Sequence, residues 1–199
     1  LDAMPLMGLM RPDGTRPGYE PDAAALVAEQ MGLALRWVPL EWSAFYPALH
    51  AGTVDGIWCG QGITEYRRTL ADFTRPYAVF NESLVTRIES DVASPEECAG
   101  LRIGAIANST NMALTETFPG VIPVSFDGAT DDVYGDMIAA TRSGEIDGFV
   151  DDDVVMIVLD ADPELRLAFT VETRNQWGIA VRHGEDELRG RLDDALGAI

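Results

Sequence analysis

Two adjacent arginines, Arg67 and Arg68, close the run Ile63-Thr64-Glu65-Tyr66-Arg67-Arg68. A planar guanidinium makes two parallel charge-assisted hydrogen bonds to a carboxylate, so either arginine suits recognition of an organic acid. On a short helix capped by Thr64 they equally serve as surface cations paired with Glu65 or Asp72. The opposite chemistry sits far along the chain, in Asp151-Asp152-Asp153. A carboxylate there accepts from an ammonium group, or caps the helix that follows an apolar strand. Asn108-Ser109-Thr110 marks a third place, where a strand gives way to a helix. Backbone N–H groups at such a junction point outward at the positive end of the helix dipole and favour an anion. The Ser109 hydroxyl suits a helix cap as well.

Other reactive residues are sparse. The two histidines, His50 and His183, fall at a helix end and in a turn, so no histidine-based nucleophile system is evident. Glu82 or Asp127 could act as a proton donor if held neutral, but no spacing singles out either. Cys59 and Cys98 lie far apart, in Gly-Ile-Trp-Cys and Glu-Glu-Cys. They fit neither a disulfide framework nor a zinc spacing, and free thiols are expected.

The net charge is -19, and all 14 basic residues are arginine. That excess argues against a nucleic-acid partner, which needs clustered cations, and against docking on anionic lipid. It fits a strongly solvated surface. With 199 residues, 47% of them hydrophobic, the chain can bury a sizeable core as one large domain or two small lobes. No apolar run approaches the roughly 20 residues that span a bilayer. No charged-then-apolar leader opens the sequence, so a secretion signal is expected to be removed or to lie outside it.

Short apolar strands alternate with helical stretches, the grammar of an α/β fold with a mostly parallel sheet covered on both faces. Gly18-Tyr19-Glu20-Pro21-Asp22 leads into a helix through Met31, stopped by Gly32. The alternation of Leu33, Leu35 and Trp37 predicts a strand. Ser43 is expected to cap a helix to about His50, 54–59 to form a buried strand, and Thr64 to cap a short helix. A second unit of like grammar starts near Pro95. It has strands at 101–106, 121–126 and 146–150, with helices opening at Asn108-Ser109-Thr110, over roughly 130–143, and in Asp151-Asp152-Asp153. A strand at 178–181 and a helix from Asp186 complete the pattern. Connections at 80–85 and 177–181 would join two lobes by a two-stranded hinge. The expected division is 1–84 plus 178–199 for lobe 1 and 85–177 for lobe 2.

Five motifs in order carry a resemblance. Gly18-Tyr19-Glu20-Pro21-Asp22 resembles a "G-F-D-V-D" entry, and Tyr46-Pro47-Ala48-Leu49 with Gly52, Val54 and Asp55 resembles "P-A-L-x-x-G-x-x-D". Ile63-Thr64-Glu65-Tyr66-Arg67 followed by Asp72-Phe73-Thr74-Arg75-Pro76-Tyr77 is similar to "I-T-x-x-R…D-F-S-x-P-Y". Gly144-Glu145-Ile146-Asp147 through Asp152 resembles "G-x-x-D-A-x-x-x-D", and Trp177-Gly178-Ile179-Ala180-Val181-Arg182 resembles "Y-G-I-A-V-R". Together they resemble the family 3 extracellular solute-binding proteins, the polar amino-acid receptors of ABC importers, with the type II periplasmic-binding-protein fold.

The resemblance implies a two-lobed α/β receptor that closes by its hinge on an amino acid or similar small zwitterion. Such a receptor needs no cofactor, acts as a monomer and delivers to a membrane ABC permease. Its place is periplasmic or extracellular, lipid-anchored in a Gram-positive source. The matched positions select Arg67 over Arg68 for the ligand carboxylate, with Arg68 facing solvent, and Asp152 over its neighbours for the ammonium. They make Trp42 an aromatic wall, give Gly60 and Gly62 the loop that offers backbone groups, and put Asn108, Ser109 and Thr110 on the opposing lobe. Three departures stand out. Asn108 replaces a glycine, Gly62 replaces a serine or threonine, and the second wall aromatic aligns with the small Ala3. The family's first strand and last helix would lie outside 1–199, as would one acidic ligand contact. Two alternatives share the scaffold: a periplasmic enzyme resembling cyclohexadienyl or arogenate dehydratases, and a ligand-sensing domain of a membrane receptor.

Overall fold

The computed structural model describes residues 6–8, 10–130 and 132–199. Helices are α1 (Tyr19–Met31), α2 (Phe45–His50), α3 (Glu65–Arg68), α4 (Thr110–Thr115), α5 (Val133–Ser143), α6 (Asp153–Met156) and α7 (Asp186–Leu196). Strands are β1 (Gly56–Ile57), β2 (Asp72–Phe73), β3 (Ala78–Arg87), β4 (Arg102–Ile106), β5 (Ile122–Phe126), β6 (Gly148–Asp152), β7 (Leu165–Trp177) and β8 (Ala180–Val181). The described chain divides into two compact units. One comprises Leu6–Val79 with Asn175–Ile199; the other is Phe80–Arg174. The chain passes from one to the other within β3 and returns within β7.

The first unit holds a three-stranded sheet of order β1-β8-β2. Both pairings are antiparallel, with Ile57 opposite Ala180 and Phe73 opposite the same residue. Here the expectation of parallel strands is corrected: the central strand arrives from the far end of the chain and runs against both neighbours. The core gathers Leu49, Ile57, Ala71, Phe73 and Ala180, with Phe45, Tyr46, Val54 and Ile63 packed on it. Helix α1 ends as expected at Gly32, whose φ of 66° is one that glycine adopts without cost. The N–H groups of Gly32 and Leu33 return to Glu29 and Ala28 and satisfy the last carbonyls.

The second unit holds a five-stranded sheet of order β5-β4-β6-β3-β7. Strands β5, β4 and β6 are parallel, and β3 joins β6 antiparallel. Leu84, Cys98, Ile103, Phe118 and Val150 form its core. Cys59 and Cys98 are both buried free thiols, as expected.

Several local expectations shift. The alternating segment at 33–38 forms no strand: Leu33 and Leu35 are exposed, and no described strand pairs with it. Alternation marks a face, but a strand also needs a ladder partner. Ser43 lies in a 3-10 turn, Trp42–Ala44, that precedes α2, and it caps nothing. Of 54–59, only β1 is paired. Strand β6 starts two residues later than expected and carries Asp151 and Asp152 inside the ladder. Helix α5 starts at Val133, where the Asp132 carboxylate accepts the Gly135 N–H. The 13-residue strand β7 was not foreseen, although Leu165, Leu167, Phe169 and Val171 alternate with Arg166, Ala168, Thr170 and Glu172.

Candidate functional site

In the first unit, Thr64 caps α3 by accepting the Arg67 N–H at 3.1 Å. This short turn aims Arg67 inward and leaves Arg68 exposed. Arg67 is only 5% exposed. Its Nη1 donates to the Gly62 carbonyl at 3.0 Å, and its guanidinium lies 5.5 Å from the centroid of the Trp42 ring. A cation over an indole face is attracted by the ring quadrupole, so Trp42 holds the guanidinium laterally while Gly62 holds it from the loop. Trp42 is half-buried and tilts on Phe45 at 5.4 Å, outside the core cluster of this unit. Asp72, a surface partner considered for Arg67, is instead engaged by His183 Nδ1 at 3.0 Å and the Gly184 N–H at 3.1 Å.

The loop Gly60-Gln61-Gly62 is fixed from several sides. Gln61 is buried; its Nε2 donates to the Cys59 carbonyl at 3.1 Å and its Oε1 accepts from the Tyr46 hydroxyl at 3.1 Å. Its carbonyl takes the Gly178 N–H at 3.0 Å, and the Ile63 N–H reaches the Gln176 carbonyl at 2.8 Å. The Gly60 N–H is taken by Glu20 Oε1 at 2.7 Å. The φ of Gly60 is 54°, and an added Cβ would sit 3.6 Å from the Trp177 indole. Glycine here gives the loop its turn.

Glu20 was absent from the sequence-derived site, though it is the acidic centre of the Gly18–Asp22 motif. It is fully buried, and Oε1 also accepts the Tyr77 hydroxyl. Its other oxygen, Oε2, has no hydrogen-bond partner. Burial pushes this carboxyl up to about 7, against the hydrogen bonds from Tyr77 and Gly60.

In the second unit, the three aspartates separate cleanly. Asp151 points to the opposite face of β6 from Asp152, as strand alternation requires, and its Oδ1 accepts the Asp152 N–H at 2.8 Å. Asp153 Oδ2 accepts from Asn81 at 3.2 Å. Asp152 occupies the N-cap position of α6, yet its side chain makes no capping bond. Asn111 Nδ2 instead donates to Asp152 Oδ1 at 2.8 Å. Ser109 is the opposite case. Its Oγ accepts the Met112 N–H at 3.0 Å and donates to the Ile106 carbonyl at 2.6 Å, so this hydroxyl does cap α4. Asn108 has a φ of 58°, the left-handed region that glycine and asparagine enter most readily. Asparagine is thus compatible with a backbone position where the resemblance implies a glycine. Thr110 is partly buried beside Glu82. Asn111, the residue that meets Asp152, was passed over in sequence; its place directly after Thr110 was the available signal. Asp147 belongs to a separate framework, where Arg102 Nε and Nη2 bind it at 3.1 and 3.0 Å and hold its carboxyl below the usual range.

Among the described residues, no cluster of His, Cys, Asp and Glu could hold a metal ion, and no helix is long and apolar enough to cross a membrane. Asp127 is exposed, while Glu82 is buried. Ala3 lies outside the described residues.

The sequence model of bacterial extracellular solute-binding proteins, family 3, matches residues 1–199. The L-arginine-binding protein of Pseudomonas aeruginosa is 27% identical over 99% of this chain and 79% of its own length. The holo form of ArgBP from T. maritima superposes with a TM-score of 0.88, at 24% identity, over 99% of this chain and 86% of that one. A membrane-bound lytic murein transglycosylase F from Desulfosudis oleivorans is 24% identical over 90% of this chain and 40% of its own length.

Proposed function

Since the chain belongs to the bacterial extracellular solute-binding proteins, family 3, we propose that it is the extracytoplasmic receptor of an amino-acid ABC importer. In this reading Arg67 binds the ligand carboxylate and Asp152 its ammonium. Binding of one amino acid would shift the protein to a ligand-bound conformation that a membrane permease accepts. The division near Val79–Phe80 and Arg174–Asn175 then corresponds to the two lobes.

The observation that carries the reading is the setting of Arg67. A buried arginine on a four-residue helix, held between an indole face and a fixed loop carbonyl, is arranged for a planar anion rather than for solvent. Trp42 continues the surface on which the ligand side chain packs. Gly60 and Gly62 give the loop its close approach. The Gly60 N–H is committed to Glu20, so donors besides Arg67 come from elsewhere on this loop. Asn108, Ser109 and Thr110 flank Asp152's partner Asn111 on α4, with Ser109 contributing through its backbone. The ligand bridges charges and leaves chemically unchanged, so no cofactor enters.

Thermal unfolding of the purified protein against the proteinogenic amino acids, betaines, ectoines, polyamines and aromatic acids tests this. A ligand that binds only the folded state raises the midpoint, by about 2.7 kcal/mol of stabilisation at a hundredfold excess over Kd. A shift with an amino acid recovered intact supports the receptor. An amino acid or prephenate-like acid consumed on incubation would replace the receptor with an enzyme, and no shift with any zwitterion would sink the ligand class.

A further inference from the structure

Neither histidine of the sequence, His50 or His183, has a part in the site so far, yet both reach the turn that follows Arg67. That turn completes α3. The Arg67 carbonyl accepts the N–H groups of Leu70 and Ala71 at 2.9 and 3.0 Å, and the Tyr66 carbonyl accepts that of Thr69 at 2.9 Å. The next carbonyls turn to the histidines. Leu70 accepts from His50 Nε2 at 2.7 Å. The Thr69 backbone bonds to the His183 ring and favours its protonated form, so the acceptor there is the carbonyl.

A helix of four residues has too few internal bonds to hold its own shape, so contacts at its ends decide where its side chains point. Thr64 supplies that contact at the start, and the two histidines supply it at the exit. Donors at the last carbonyls of a helix also complement the negative end of its dipole.

The two imidazoles differ in what they require. The His50 bond needs an N–H at Nε2, which one neutral tautomer provides as well as the cation. His183 serves two acceptors: Asp72 Oδ1, 3.0 Å from its Nδ1, and the Thr69 carbonyl. A neutral imidazole carries one N–H, so only the cation serves both. The Gly184 N–H, with His183 adding to it, holds the Asp72 carboxyl below its ordinary range. Asp72 from β2 and Thr69 from the exit of α3 therefore face His183, and Arg189 on α7 acts on Asp72. Arg182 and Glu185, in the same turn as His183, pair with each other at 3.0 Å. The Asp72 contact first, and the Thr69 carbonyl second, raise the imidazole above its ordinary 6.5.

We propose that protonated His183 is a positioning residue for Arg67: it clamps the exit of α3 between Asp72 and the Thr69 carbonyl, and lets go as pH rises. The effect on binding rests on the reading of Arg67 as the contact for the ligand carboxylate. The clamp is complete below 6.5 and is lost as pH rises through the raised value. His183 and Asp72 are both partly exposed, so the change in Kd is on the scale of a surface ion pair, about two- to fivefold.

The test is calorimetric titration of L-arginine and L-glutamine into wild type, His183→Gln and His183→Lys between pH 5.5 and 9. Comparing proteins at each pH removes the titration of the ligand itself, and that of Glu20 at about 7. Wild type should bind about two- to fivefold more tightly than His183→Gln at pH 6, and the two should converge toward pH 9. His183→Lys, charged throughout, should keep the tighter Kd over the whole range. A wild-type to His183→Gln ratio that does not change with pH overturns the clamp. Ring-proton NMR of the unliganded protein gives an arm without ligand. Of the two imidazole signals, the one missing from His183→Gln should titrate above 6.5, and titration at or below that value refutes the bridge. If neither amino acid binds at any pH while His183 still titrates high, the receptor reading fails and the bridge from Asp72 to Thr69 stands.

Discussion

Glu20 accepts the backbone N–H of Gly60 at 2.7 Å, although the two residues lie forty positions apart. The bond ties the first turn of α1 to the loop that also presents Gly62 to Arg67. The same carboxyl oxygen takes the Tyr77 hydroxyl, and its twin takes nothing. A buried acid with one oxygen unpartnered is stable chiefly in its neutral form, which is why burial outweighs both hydrogen bonds here.

The pH dependence of stability follows from that. The Glu20 carboxyl titrates at about 7 in the fold against 4.5 ordinarily, so the folded state holds more protons between those values. Its contribution is present in full below about 4.5 and is lost as pH rises to about 7. Glu20→Gln keeps the acceptor for Gly60 and Tyr77 but cannot ionise. Thermal unfolding from pH 4.5 to 8 should fall less steeply in the variant, the difference amounting to about 3 kcal/mol at most. Parallel curves would mean that Glu20 is ionised throughout.

Arg67 and Arg68 offer an internal contrast, one buried and one exposed on the same four-residue helix. Arg67→Ala should weaken amino-acid binding by about 2–5 kcal/mol, since it leaves a ligand carboxylate unpaired in a desolvated setting. Arg68→Ala should change it by less than about 0.5 kcal/mol. Calorimetry on both variants decides, and the reverse ranking would mean the register of this helix has been misread.

The three consecutive aspartates make a second contrast. Asp152 meets Asn111, while Asp153 meets Asn81. Asp152→Ala should cost about 2–5 kcal/mol of binding. Asp153→Ala should leave Kd within about threefold, because exposed or partly exposed polar pairs contribute little. Equal losses at the two positions would count against Asp152 as the single ammonium acceptor.

Backbone conformation at Asn108 gives a prediction about stability. With φ at 58°, Asn108→Gly should be tolerated within about 1 kcal/mol. A β-branched residue there is penalised by its own backbone, so Asn108→Val should destabilise by about 1–2 kcal/mol or more. Chemical denaturation of the two variants reads this directly.

The site was legible in sequence wherever a residue type and its immediate neighbours carry the signal. Thr64 four residues before Arg68 announced the cap that turns Arg67 inward, and Gly32 announced the end of α1. What sequence left hidden depends on contacts between distant segments. Nothing in Gly18–Asp22 says that its acid reaches Gly60, and nothing in Asn-Ser-Thr-Asn says that Asn111 is the asparagine facing Asp152. The two-residue shift in β6 mattered most, because strand alternation decides which of Asp151 and Asp152 faces Glu82. The segment 33–38 erred the other way: its alternation is plain, but no described strand lies beside it to pair with.

The order of strands in the small sheet also governs how the chain can be made. Its middle strand, β8, comes near the end of the sequence, between partners that precede it by more than a hundred residues. A growing chain therefore cannot complete that sheet until β8 has been made, whereas Phe80–Arg174 is a continuous stretch that precedes β8 and can collapse before it emerges.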